Sequence, residues 1–231
     1  MVMARATEVR ELLDGPLPAA DLRATLDDLD RLNTWFGGYA LTLARIRRIA
    51  DRLPRGRRLV VVDVGGGRGD LAIRIARWAR RAGRPVCIVV LDRDPAMLAL
   101  AHRRTARYPE IALVCAEARA LPLLACAADV AVVALTLHHL APDEAMAALT
   151  AMTGAARVVV VNDLLRTPAA LALVWLATRA LRLHPVSRHD GPMSVRRAYS
   201  ADELTALVRR IGRGVRVSSY PWLGRLVAEV A

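Results

Sequence analysis

The stretch Leu59-Val-Val-Val-Asp63-Val-Gly65-Gly-Gly67-Arg-Gly69-Asp70 decides the fold of this chain. Leu59 to Val64 is an apolar, β-branched run interrupted only by Asp63, the pattern of a strand buried on both faces. Glycines at 65, 67 and 69 then permit positive φ and let the backbone approach a ligand closely. From Asp70 to Ala82 the apolar residues Leu71, Ile75, Trp78 and Ala82 fall at helical spacing, and Gly83 closes the pattern. A strand, a glycine turn and a helix in that order aim amide donors and the positive end of a helix dipole at a ligand.

The same alternation continues downstream. Val86–Leu91, Ile111–Cys115, Val130–Leu135 and Val158–Val161 read as further strands. Asp94-Pro95 caps and opens a helix between two of them, and Asp143–Thr153 reads as another, closed by Gly154. Strands and helices alternating at this pitch predict an α/β, doubly wound parallel sheet. Ser200-Ala-Asp-Glu203 is a capping box before a helix at Leu204–Ile211, and Val215–Ser219 with Leu226–Val230 forms a final antiparallel hairpin. Upstream, Leu22, Leu26, Leu29, Leu32 and Phe36 give a helical stripe that Gly37-Gly38 breaks and Leu41–Leu53 resumes. Residues 1–56 are therefore read as a helical cap on a core of 57–231, within one domain.

Composition narrows the function. The chain has 231 residues, 55% of them hydrophobic, enough for a core that needs neither disulfides nor structural metal. Cys87, Cys115 and Cys126 have no CxxC pairing and read as reduced core thiols of a cytosolic (cytoplasmic) protein. All 34 basic residues are arginine, which excludes a Schiff-base lysine and a phosphate-binding GK[ST] loop. The net charge of +12 permits anionic partners, but the arginines are scattered among carboxylates. The N-terminus lacks the apolar core of a secretory signal, and the most apolar stretch, Pro168–Ala177, falls short of the ~20 residues that span a bilayer.

The glycine spacing is G-x-G-x-G after Asp63, not the G-x-G-x-x-G of dinucleotide folds, because position 70 is Asp70. In this the sequence resembles the class I S-adenosylmethionine-dependent methyltransferases. The resemblance implies a Rossmann-like core, mostly parallel and seven-stranded, with an antiparallel C-terminal strand, and S-adenosyl-L-methionine as cofactor. It implies that Asp63, Gly65, Gly66, Gly67 and Gly69 form the cofactor loop. Asp92, 27 residues beyond Gly65, would hold both ribose hydroxyls, with Arg93 beside it. Glu117-Ala118 would meet the adenine edge, and Leu135-Thr136 would lie against the methionine part of the cofactor.

His138 and His139 follow the fourth strand as candidates to deprotonate or orient an acceptor, since imidazole titrates near neutrality. Asn162 and Asp163 end the fifth strand at the crevice where open α/β sheets bind ligands, and are read as substrate contacts. Their order and the absence of a carboxylate at Leu135-Thr136 leave too few oxygen ligands for magnesium, so the expectation is a metal-independent enzyme with no metal site. Trp35 and Tyr39, in a segment loosely resembling the cap of methyltransferases found beside bacterial polyketide synthases, and Trp175, in a lid insert at about 165–195, are expected to cover a hydrophobic acceptor. The leading expectation is methyl transfer to O or C of a small phenolic or polyketide-like molecule of secondary metabolism. An RNA methyltransferase and a non-catalytic cofactor-binding subunit are the alternatives. The fourth-strand motif is not [DN]-P-P-[YFW], which argues against nucleic acid. The N-terminal helices are compatible with a homodimer.

Overall fold

In the computed structural model, which describes residues 3–231, seven strands form one sheet. They are β1 (Leu59–Val64), β2 (Val86–Asp92), β3 (Ile111–Cys115), β4 (Ala128–Ala134), β5 (Ala156–Leu164), β6 (Val215–Tyr220) and β7 (Arg225–Val230). Their order is β3-β2-β1-β4-β5-β7-β6, and only β7 runs against the others. The chain therefore reverses its winding between β1 and β4, which opens a crevice at their C-terminal ends.

The continuous apolar runs have the cause inferred from sequence: both faces are covered. On one face Val61, Val90, Val130 and Val160 pack against Ile46 and Ile49 of α2 (Gly38–Ala50) and Leu71 and Ile75 of α3 (Asp70–Arg81). On the other, Val62, Val133, Val159 and Val161 pack against Leu149 and Met152 of α5 (Pro142–Ala155) and Leu204 and Leu207 of α8 (Ala201–Arg210). α4 (Pro95–Thr105) opens with Asp94, whose carboxylate accepts from Ala96 N at 2.8 Å. α1 (Ala19–Trp35) lies on α2, and α6 (Pro168–Ala180) and α7 (Pro185–Arg197) form the insert after β5.

Several expectations shift. α5 does not stop at Gly154 but runs to Ala155 and passes directly into β5. β5 extends beyond Val161 because the antiparallel partner β7 pairs with it as far as Leu164. The N-terminal cap is helical only from Ala19. Before it runs a strap, largely extended, with one 3-10 turn at Leu12–Asp14. Met1 and Val2 of that cap lie outside the described residues. The cysteines are free, but Cys115 and Cys126 are exposed rather than core thiols. Among the described residues no helix is long and apolar enough to cross a membrane.

Leu149 is fully buried between α5 and the sheet, whereas Leu124 is 83% exposed. Leu149→Ala is expected to cost about 2–5 kcal/mol in urea unfolding, and Leu124→Ala less than about 0.5 kcal/mol. Equal costs would contradict this layer assignment.

Candidate active site

The loop after β1 passes beside two carboxylates, Asp63 and Asp92. Gly65 and Gly67 have φ of 68° and 54°, where a side chain is strained. A Cβ on Gly65 would also lie 2.6 Å from the Thr136 side chain, so the two loop ends touch only because position 65 is bare. Around Gly67 there is open space. Gly67 N donates to Asp92 Oδ2 at 2.9 Å and Asp94 N to Asp92 Oδ1 at 3.0 Å. Asp92 is thus fixed at the end of β2 with one lone pair still free on each oxygen. Asp63 is 2% exposed, and its Oδ2 has no hydrogen-bond partner. Burial, aided by the charges of Asp92 and Asp70, pushes its carboxyl up to about 7.

Across the crevice Leu135 adopts φ 53°, a left-handed conformation costly for a branched side chain, with its N–H donating to Asn162 O at 2.9 Å. The turn that follows, Leu137–His139, carries both candidate histidines. Its carbonyls are capped from outside: Arg5 donates to His138 O and Leu140 O, and Arg197 to His139 O.

A cavity of about 940 Å³ joins these parts, near the upper end of the ~300–1,000 Å³ usual for ligand pockets. One end is walled by Asp63, Gly65–Gly67, Asp92, Arg93, Glu117, Ala118, Leu135 and Thr136. The other is walled by the strap and α1, with Leu13, Leu17, Leu26, Leu29 and Tyr39 supplying apolar surface and Glu11, Asp14, His139 and Arg197 polar groups.

The two histidines are held differently. His138 is 2% exposed; its Nδ1 lies 2.7 Å from Asp163 Oδ1, and its N–H donates to Asp163 Oδ2 at 3.1 Å. Its Nε2 points at Glu11 Oε1, 3.5 Å away, and is buried without a hydrogen-bond partner. His139 faces the cavity, with Nε2 3.9 Å from Glu11 Oε2. Its Nδ1 is 2.9 Å from Asp14 Oδ1, close but without the alignment of a hydrogen bond. Burial pushes Glu11 up to about 7, against the opposing pull of His139, Ser194 and Arg197. At Asp163 burial acts in the same upward sense, but the contacts to His138 outweigh it and hold the carboxyl below its ordinary range.

The structure thus brings most of the expected cofactor residues to one cavity end. Gly69 stands apart, starting α3 below the loop. Asn162 and Asp163 point to opposite faces of β5, and of the two only Asn162 lines the cavity, its Oδ1 buried without a hydrogen-bond partner. Asn162 Nδ2 donates to Gly38 O and Thr42 Oγ1, both at 2.7 Å, while Asp163 anchors His138 away from the cavity wall. Tyr39 reaches the wall beneath the Arg74 guanidinium, 4.2 Å from its ring centre. Trp35 and Trp175 do not: they are 58% and 49% exposed, and Arg179 stacks on Trp175. The insert reaches the cavity through Arg197.

Sequence reasoning missed Glu11 and Asp14. They sit on a strap with no periodicity, and only the turn signal Asp14-Gly15-Pro16 marks it. α7 holds the strap: Asp190 accepts from Leu12 N at 2.8 Å and Leu13 N at 2.9 Å, and Arg197 pairs with Asp14 at 2.6 Å.

Residues 61–158 match the family model of a methyltransferase domain. No curated protein matches the sequence. Among solved structures the chain is similar to the DszA carbon methyltransferase, at 15% identity and a TM-score of 0.67, covering 89% of this chain and 57% of that one. The CMeT domain of the citrinin polyketide synthase is also similar, at 15% and 0.64, covering 83% and 51%. So is the magnesium protoporphyrin IX methyltransferase of Synechocystis PCC 6803 with bound SAH, at 17% and 0.60, covering 94% and 89%. The chain therefore spans little more than half of the first two, and at these identities the likeness shows the fold.

Two outcomes are expected. Asp190→Ala removes the acceptor of two strap amides, worth about 1–3 kcal/mol. Trypsin should then cut at the exposed Arg10 about tenfold faster, in a chain of unchanged circular dichroism. An unchanged rate would mean that α7 does not hold the strap. For Asp63, the folded value near 7 lies above the ordinary 3.8, so the folded protein keeps a proton that the unfolded chain releases. The stability this group adds is complete below pH 3.8 and lost as pH rises through about 7. In cofactor-free protein, Asp63→Asn should flatten the fall in Tm across that window; a variant with the wild-type slope would contradict it.

Proposed function

We propose that the chain is a class I S-adenosylmethionine-dependent methyltransferase that methylates an oxygen or carbon of a small, largely apolar acceptor of phenolic or polyketide-like character. The observation that carries this reading is one continuous cavity, with the glycine loop and Asp92 at one end and an apolar wall with Glu11 and His139 at the other.

The residues present fit the cofactor. Open space at Gly67, the free lone pairs of Asp92 and the unpartnered Oδ2 of Asp63 leave both room and polar partners at the loop. S-adenosylmethionine supplies there a methyl group on a sulfonium, open to in-line attack. Asp92 would take both ribose hydroxyls, Arg93 would lie beside it, and Glu117 and Ala118 would border the adenine. Leu135 and Thr136, with the backbone bent at φ 53°, would close over the methionine part. The strap and α1 exclude water from the acceptor, and Tyr39 adds a flat apolar surface. Glu11 and His139 would meet the acceptor's reacting atom, with His138 acting through Glu11 as a positioning residue. Alignment of donor and acceptor supplies most of the rate in such a displacement. Held there, the cofactor would give its methyl group to an electron pair on the acceptor oxygen or carbon and leave as the neutral sulfide, with the acceptor's proton passing to solvent. Carbon and polyketide methyltransferases among the solved neighbours support the acceptor class.

Methyl-labelled cofactor mixed with the protein and host extract tests this. Label extractable into organic solvent is expected; label confined to RNase-sensitive precipitate would overturn the small-molecule reading. Asp92→Ala removes two charge-assisted hydrogen bonds of ~1.5–3 kcal/mol each. Calorimetry should show cofactor binding weakened roughly a hundredfold or more. Unchanged affinity in a folded variant would refute the ribose role.

A further inference from the structure

We infer that Glu11, His138 and His139 bind a divalent transition-metal ion at the acceptor end of the cavity, with a coordination position left open toward the acceptor. This departs from the sequence expectation of metal independence, which was argued from Asn162, Asp163 and the end of the fourth strand and did not weigh Glu11, more than a hundred residues upstream.

The donor set is two imidazoles and one carboxylate, a combination that suits zinc and ferrous ions. The three ligand atoms lie within 4.8 Å of one another. His138 Nε2 is 3.5 Å from Glu11 Oε1, and His139 Nε2 is 3.9 Å from Glu11 Oε2. Bonds of ~2.0–2.1 Å in a tetrahedral shell place donor atoms about 3.3 Å apart, so no pair of ligand atoms has to close by more than about 1.5 Å.

The surroundings are those of a ligand shell. Metal-bound histidines give their second nitrogen to a carboxylate, which fixes the tautomer. Asp163 stands in that position for His138 at 2.7 Å, and Asp14 lies beside the Nδ1 of His139 at 2.9 Å. His138 Nε2, in a residue 2% exposed, is aimed at Glu11 with no hydrogen-bond partner. A buried nitrogen left in that condition costs free energy that a metal bond would offset. Three carboxylates, Glu11, Asp14 and Asp163, face the two imidazoles. The guanidinium of Arg197 pairs with Asp14 at 2.6 Å and donates to Glu11 Oε1 at 3.4 Å, so Glu11 Oε2, the oxygen nearer His139, is the one left for the ion.

Glu11 and His139 line the cavity, so the open position faces it. Three protein ligands with one position open is the pattern of a catalytic rather than a structural metal. An acceptor hydroxyl bound there would release its proton to water at lower pH, with no change of oxidation state. That catalytic role rests on the function proposed above; the binding of metal does not.

The test is calorimetric titration of the full, chelator-stripped chain with zinc, followed by cobalt as a spectroscopic probe. One equivalent is expected to bind, with cobalt giving a visible spectrum of low coordination number. Glu11→Gln and His139→Ala should each weaken binding at least about tenfold, with circular dichroism and S-adenosylmethionine affinity unchanged. These variants avoid His138, whose loss could unfold the β5 end. Absence of stoichiometric binding, or binding equal in both variants and wild type, would overturn the site. Metal bound without label transfer to a small acceptor would instead refute the catalytic reading and leave the site standing.

Discussion

The buried contact between Asp163 and His138 is the constraint from which the acceptor end of this molecule is built. A strand points successive side chains to opposite faces, so Asn162 and Asp163 can lock two different elements from one spot. Asn162 holds the start of α2 through Gly38 and Thr42, and Asp163 holds the turn after β4 through both the ring and the backbone of His138. Removing one partner of a buried pair of this kind costs about 3–5 kcal/mol, because the other is left uncompensated. The arrangement is therefore stiff where the reacting atoms would meet. The sheet supplies the stiffness, since β5 is paired on both edges, to β4 and to β7.

The cofactor end depends on a different kind of constraint. There the backbone is shaped first, by bare positions 65 and 67 and the left-handed Leu135, and the carboxylates of Asp63 and Asp92 are placed by it. Between the two ends lies the strap. It owes its position to α7, through Asp190 and Arg197, and to Arg5, which stacks on Tyr199 at 3.9 Å while bridging the carbonyls of the histidine turn. The insert after β5 acts here as a bracket for the N-terminal segment, and that segment forms the cover.

How much of this was legible in the sequence follows from where the information is local. The β1 loop, the capping residues Asp94 and Ser200, and the final hairpin were readable because strand runs, glycine spacing and capping boxes are short-range patterns. Seven strands and the lone antiparallel β7 followed from the resemblance that the loop established. Glu11 was not legible, since its importance comes from contacts with His138 and Arg197 at opposite ends of the chain. Nor was the role of Asp163: a polar residue at a strand end reads the same whether it faces a ligand or a neighbouring histidine. Trp35 and Trp175 misled for a related reason. Aromatic residues near a mobile-looking element suggest a lid, but the turn of each helix leaves these rings half exposed, away from the cavity.

The central claim is that one cavity holds the methyl donor at the glycine loop and the acceptor against Glu11 and His139. A crystal structure of the chain with S-adenosylhomocysteine tests it most directly. The account predicts both ribose hydroxyls within hydrogen-bond distance of Asp92, at ~2.7–3.0 Å, and the sulfur turned toward the histidine end. A ligand seated elsewhere, or with its sulfur turned away from His139, would contradict it.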